Sequence, residues 1–122
     1  MVSVLICDDA IFMRKYLQKI IEKSGNTVVA EATNPDEAID LYELHKPDLV
    51  LLDIVMPQGE KAADGIGALR QILSRNYNAN VVMCSSMGQE NLVKEAKEIG
   101  AKGFISKPFK PKEIIQVLSK YS

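Results

Sequence analysis

Apolar positions along this chain follow two alternating rhythms. Five short runs, at residues 2–7, 27–32, 49–52, 81–84 and 103–105, read as β-strands. Four of them are leucine-rich or β-branched with no polar alternation, as expected of strands buried on both faces. Between them the spacing changes to that of helices: Met13, Tyr16, Leu17, Ile20 and Ile21; then Ala38, Leu41 and Tyr42; then Ile66, Leu69 and Leu73. Leu92, Ala96 and Ile99 form a fourth set, and Ile114, Ile115, Leu118 and Tyr121 a fifth. Asn34, Pro35 and Glu37 supply an N-cap, a first-turn proline and an acid at the third position, while Gly25 and Gly100 stand where helices should end. Strand and helix alternating five times predict an α/β fold, a doubly wound parallel sheet with helices on both faces, because parallel strands need long crossovers.

The 122 residues, 47% of them apolar, suffice for one domain with a real core. A formal net charge of -1 lacks the basic excess that phosphate-backbone binding requires, so nucleic acid is not favoured. The first apolar run is broken by Asp8, too early for a signal peptide, and no later stretch approaches a membrane span. A cytoplasmic protein is expected, with Cys7 and Cys84 as small buried hydrophobes in a reducing compartment. His45, the sole histidine, reads as surface. The longest irregular stretch, residues 53–64, attracts suspicion because long loops in compact domains are often functional.

Ligands of open α/β sheets bind beyond the carboxyl ends of the strands, so the residue after each run matters. Asp8 and Asp9 follow the first run, Asp53 the third, Ser85 and Ser86 the fourth, Ser106 and Lys107 the fifth. Each alone has a plain explanation: an acid capping the helix that begins near Ala10, a loop hydroxyl, a solvated lysine at a strand end. Together they put three carboxylates and a cation on one edge. Carboxylates so gathered repel unless protonated or joined by a cation, and an all-oxygen set suits Mg²⁺ or Mn²⁺ rather than zinc. Such a site could hold a phosphoryl oxygen and leave one carboxylate as nucleophile.

The fragments Ile6-Cys7-Asp8-Asp9, Leu51-Leu52-Asp53-Ile54-Val55-Met56-Pro57, Cys84-Ser85-Ser86 and Lys107-Pro108-Phe109 make the whole chain resemble the receiver domain of two-component response regulators, nearest to its stand-alone chemotaxis type. The resemblance implies a flavodoxin-like sheet of strand order 2-1-3-4-5. It implies Asp53 as phosphoacceptor, Asp8, Asp9, Asp53 and the Val55 carbonyl as Mg²⁺ or Mn²⁺ ligands, and Lys107 as the cation that meets the phosphoryl group. Ser85 matches the hydroxyl switch and Phe104 the aromatic that turns on activation, although a core aromatic is an equal reading. The Lys107-Pro108 bond is usually cis in the family. A sensor histidine kinase is the implied donor, and the surface of helix 4, strand 5 and helix 5 the implied docking face for a target, either a flagellar motor or another regulator. Such a protein is not an enzyme beyond its own phosphorylation and dephosphorylation, and is a monomer or a phosphorylation-dependent dimer.

Two departures stand out. The segment from Pro57 to Gly65 is about four residues longer than usual, read here as tolerated slack, with control of kinase choice or phosphoryl lifetime as the alternative. Val55 and Met87 occupy positions that tune dephosphorylation in the family and neither hydrogen-bonds water, which implies slow loss of the phosphoryl group. Residues 94–112 carry six lysines against two glutamates, a face suited to an acidic amphipathic peptide or simply to solvent. A phosphorelay carrier or phosphate sink is the runner-up function. An aspartyl phosphatase would show Asp-x-Asp after the first strand, and a flavodoxin a Ser/Thr-rich loop at Asp8-Asp9-Ala10; neither pattern is present.

Overall fold

The computed structural model describes residues 1–122. Ten elements alternate without interruption: β1 Ser3–Cys7, α1 Ile11–Lys23, β2 Thr27–Ala32, α2 Pro35–His45, β3 Leu49–Asp53, α3 Gly65–Arg75, β4 Val81–Ser85, α4 Glu90–Ile99, β5 Gly103–Ser106 and α5 Pro111–Lys120. All strand pairs are parallel and the sheet order is β2-β1-β3-β4-β5. The strand ends differ from the sequence reading by one residue. β1 begins at Ser3, with the Val2 carbonyl still accepting from the Thr27 amide at 3.0 Å, while β3, β4 and β5 each run on to the polar residue that follows the apolar run. Ladder hydrogen bonds, not side-chain polarity, decide where a strand stops.

The uninterrupted apolar strands divide into two faces by their period of two. Leu5, Cys7, Val50, Leu52, Val81 and Met83 point to one side and pack with α2, α3 and α4 through Ile39, Tyr42, Leu69, Ile72 and Ala96. Val4, Ile6, Leu49, Leu51, Val82 and Cys84 point to the other and meet α1 and α5 through Leu17, Ile21, Ile114 and Leu118. Each such aliphatic side chain, fully buried, contributes about 1.5–3 kcal/mol. Both thiols are buried and free, as expected. No helix is long and apolar enough to cross a membrane.

Capping holds the helix ends that border the site. Asn34 Oδ1 accepts from the Glu37 amide at 2.9 Å and caps α2. Glu37 reaches back to Thr33, whose amide and hydroxyl it accepts at 2.7 and 2.6 Å. At α1 the alternative reading of Asp8 or Asp9 as the N-cap does not hold: the cap position is Ala10, and Asp8 Oδ1 accepts from the Ala10 amide at 2.9 Å, one residue too early to serve the helix. Gly25 and Gly100 adopt φ of 85° and 135° at the ends of α1 and α4, where a Cβ would be strained. Lys46 takes the same left-handed role after α2, which nothing in its side chain announces.

Candidate functional site

The carboxyl ends of β1, β3, β4 and β5 bring the polar residues together at one edge. Asp8 and Asp53 are buried, Asp9 is exposed, and one carboxylate oxygen from each lies within 4.8 Å of the other two. Lys107, at the end of β5, spans the gap: its Nζ donates to Asp8 Oδ2 at 3.0 Å and to Asp53 Oδ2 at 2.9 Å. Asp8 is thus occupied on both oxygens, whereas Asp53 Oδ1 meets only the Val55 amide, at a long 3.4 Å. Asp9 has no hydrogen-bond or ion-pair partner at all. The dull reading of the acids as caps is therefore set aside by geometry.

Burial pushes the Asp53 carboxyl above its ordinary range, and the Lys107 ammonium only partly offsets this. For Lys107 burial works against the charge, but the hydrogen bonds to Asp53 and Asp8 outweigh it and hold its pKa above the usual lysine value. Its charge persists at neutral pH. Burial raises the Cys7 and Cys84 thiols far from reactivity, with neighbouring negative charge adding to the effect.

Backbone geometry fixes these side chains. The Ile54 amide donates to the Cys84 carbonyl at 3.1 Å and the Lys107 amide to the Ser85 carbonyl at 2.7 Å, so β3, β4 and β5 are laced beyond their formal ends. A Cβ at Gly65 would overlap the Asp53 carbonyl oxygen, so α3 starts this close to β3 only because residue 65 is glycine. The Lys107-Pro108 peptide is cis, as the resemblance implies. Tyr16 Oη donates to the Phe109 carbonyl at 2.8 Å, pinning the turn beyond it from α1. Arg14 Nη1 donates to the Asp8 carbonyl at 2.9 Å while its Nε pairs with Glu31 at 3.0 Å. Sequence reasoning missed Arg14 and took Tyr16 for core only. Both lie on α1, outside every fragment that follows a strand, and helical spacing alone gives no sign of such a bond.

The remaining candidates are spread around this centre. Ser85 is buried with its hydroxyl engaged only by the Ile105 carbonyl at 3.5 Å, near the limit of a hydrogen bond. Phe104 is not a core aromatic: it is 44% exposed on β5, with Lys97 Nζ 4.4 Å from its ring centroid. The Val55 and Met87 side chains point to solvent. His45 is on the surface.

Two expectations need correction. The 57–65 segment is not slack: Asp36 of α2 accepts from the Glu60 and Lys61 amides, both at 2.8 Å, and Lys61 Nζ pairs with Asp40 at 2.6 Å. Ala62, within the segment, is buried, and a Cβ at Gly59 would strike the Asp36 carboxylate. These amide bonds hold the Asp36 carboxyl below its ordinary pKa. Nor do the six lysines share one face. Lys107 turns into the acidic cluster and Lys102 binds the Asn78 carbonyl and Asn80 Oδ1, leaving Lys94 and Lys97 on α4 with Lys110 and Lys112 near α5.

Parallel order 2-1-3-4-5 with an acidic triad and a bridging lysine at the strand ends defines the receiver class, and the response regulator receiver domain model matches residues 4–119. The chain belongs to that family, the receivers of two-component signalling. Within it, the chain is similar to the chemotaxis protein CheY of Thermotoga maritima, with 47% identity covering 98% of this chain and 96% of that protein. CheY of Bacillus subtilis is 44% identical, over 96% and 94% of the two chains. Among solved structures, a chain of the CheX-CheY-BeF3-Mg+2 complex from Borrelia burgdorferi superposes with a TM-score of 0.89 at 37% identity, covering 98% of this chain and 87% of that one. The flavodoxin and phosphatase alternatives are set aside by these matches.

Proposed function

We propose that residues 1–122 form a single chemotaxis-type receiver in which Asp53 accepts a phosphoryl group from a sensor histidine kinase, with Mg²⁺ or Mn²⁺ held by Asp8, Asp9, Asp53 and the Val55 carbonyl. The observation that carries this reading is the charge imbalance at the site. Three carboxylate oxygens lie within 4.8 Å of one another with one ammonium among them, an arrangement that suits a further hard cation. When bound, the ion would neutralise the carboxylates and the phosphoryl oxygens during transfer.

The chain's own residues account for the rest. Lys107 holds Asp53 Oδ2, which leaves Oδ1, with its one long contact, as the attacking oxygen. A bond forms from Oδ1 to phosphorus, the phosphorus–nitrogen bond to the kinase histidine breaks, and its imidazole leaves. Lys107 then pairs with a phosphoryl oxygen. Ser85 gives up little in turning its hydroxyl toward the same group, because its present contact is 3.5 Å long. Phe104 turns into the space beside Ser85 and the face of α4, β5 and α5 changes its population of states.

A target bearing acidic groups, a motor component or another regulator, fits the exposed Lys94, Lys97, Lys110 and Lys112. We place this exchange in the cytoplasm on the likeness to the chemotaxis regulators, with no catalytic activity beyond the protein's own phosphorylation and dephosphorylation, and with monomer and phosphorylation-dependent dimer both compatible with it.

Incubation with acetyl phosphate and Mg²⁺, followed by intact mass, tests the reading. Wild type gains one phosphoryl group and Asp53→Asn gains none. Because Val55 and Met87 offer no hydrogen bond to water, the adduct decays slowly after the donor is removed. Equal mass gain in both proteins would remove Asp53 from its role.

A further inference from the structure

Phe104 lies on β5, 44% exposed, with one cation close to its ring. Lys97 of α4 carries an exposed ammonium with no carboxylate within ion-pairing distance and no hydrogen bond, and its Nζ sits 4.4 Å from the centroid of the Phe104 ring. A cation over an aromatic face is attracted by the ring quadrupole. Beside this pair a hollow of about 520 Å³ lies between α4 and β5, lined by Lys97 and Phe104 and also by Ser85 and Lys107. The ring therefore shares one hollow with Ser85 and with Lys107, whose ammonium pairs with Asp8 and Asp53.

We propose that Lys97 is a positioning residue: its ammonium latches Phe104 outward and sets the resting population of the switch. The proposal rests on the reading of Phe104 as the turning aromatic but adds what opposes the turn. Ring and ammonium are each free to be taken elsewhere. A partner carboxylate that pairs with Lys97 withdraws the cation from the ring, lowers the cost of the inward turn and so favours the state in which Ser85 and Lys107 face a phosphoryl group. Coupling between two sites is reciprocal, so phosphorylation frees Lys97 for that carboxylate to the same degree. Lysine acylation would have the same releasing effect by removing the charge.

The test uses the full chain labelled with 4-fluorophenylalanine, whose three rings include Phe12 and Phe109 as internal references. In wild type the Phe104 resonance reports a solvent-facing ring. In Lys97→Gln it moves toward the buried position, with the outward-to-inward ratio falling about two- to fivefold, the size of one exposed cation–π contact. Lys97→Arg, which keeps a cation over the ring, retains the wild-type position. Titration with beryllofluoride and Mg²⁺ as a phosphoryl mimic then completes the inward shift at lower concentration in Lys97→Gln. A Phe104 resonance unchanged in Lys97→Gln, or an arginine variant that behaves as glutamine does, overturns the latch. Failure of the phosphoryl reading has a different signature: beryllofluoride moves no resonance in any variant, while the Lys97 series without it still differs.

Discussion

Replacing Lys107 by methionine leaves Asp8 and Asp53 opposite one another, each with an oxygen that has lost its donor. Both carboxylates are buried, so neither recovers the bond from bulk water at no cost. Leaving a buried charge unpaired is expensive, but the Lys107 side chain keeps 21% of its surface, which moderates the loss. We expect Lys107→Met to lower the free energy of unfolding by about 1–3 kcal/mol in metal-free buffer, measured by urea denaturation. Added Mg²⁺ narrows the gap, since a divalent cation among the carboxylates replaces part of the missing charge. A variant as stable as wild type in chelator would mean that the two ion pairs contribute nothing net. Arg14 and Tyr16 act at the same scale but through backbone: they hold the carbonyls of Asp8 and Phe109.

At the scale of elements, the loop between β3 and α3 is tied to the first turn of α2 rather than left to drift. Asp36 accepts two loop amides and Glu37 accepts from Thr33, and both carboxyls are held below their ordinary pKa by those bonds. A depressed folded pKa stabilises above the ordinary carboxyl value and the contribution disappears as pH falls through the lower folded value. The Glu60, Lys61 and Thr33 amide resonances should therefore hold steady down to about pH 4 and move only below it. Asp36→Ala should release Glu60 and Lys61 at neutral pH while β3 and α3 stay native. An acid transition of those amides above pH 4, or loop amides unmoved by the substitution, would show that the clamp is not what fixes the loop. This anchor also marks where sequence reading stops. Five strands, five helices, their order along the chain and the residues after each strand were legible, because each is a local pattern of apolar period or a residue adjacent to one. Asp36 to Glu60, Lys97 to Phe104 and Tyr16 to Phe109 are not local. Each joins elements whose approach depends on packing, and Asp36 reads equally well as an acid at a helix start. The Lys46 cap was hidden for a different reason, since lysine enters the left-handed region only because the chain around it demands it.

Across the whole molecule, two apolar cores press five helices onto the sheet and oblige its polar edge to carry three carboxylates in a small volume. Folding therefore bears a local electrostatic cost that a cation bound only by the native state would relieve. Binding to the folded form alone stabilises by mass action, about 1.4 kcal/mol at ten times the dissociation constant. For a chain of 122 residues that corresponds to a rise of roughly 5 °C in melting temperature. Asp9 separates this effect from general salt screening. Its carboxylate is exposed and has no partner, so Asp9→Asn should leave the melting temperature in chelator at or slightly above that of wild type. The same variant should lose most of the Mg²⁺-dependent rise, whereas potassium chloride at matched ionic strength moves both proteins little. A Mg²⁺ response equal in wild type and Asp9→Asn would mean that the ion acts elsewhere on the surface. A fall in stability in chelator would instead assign Asp9 a folding role that its lack of partners does not suggest.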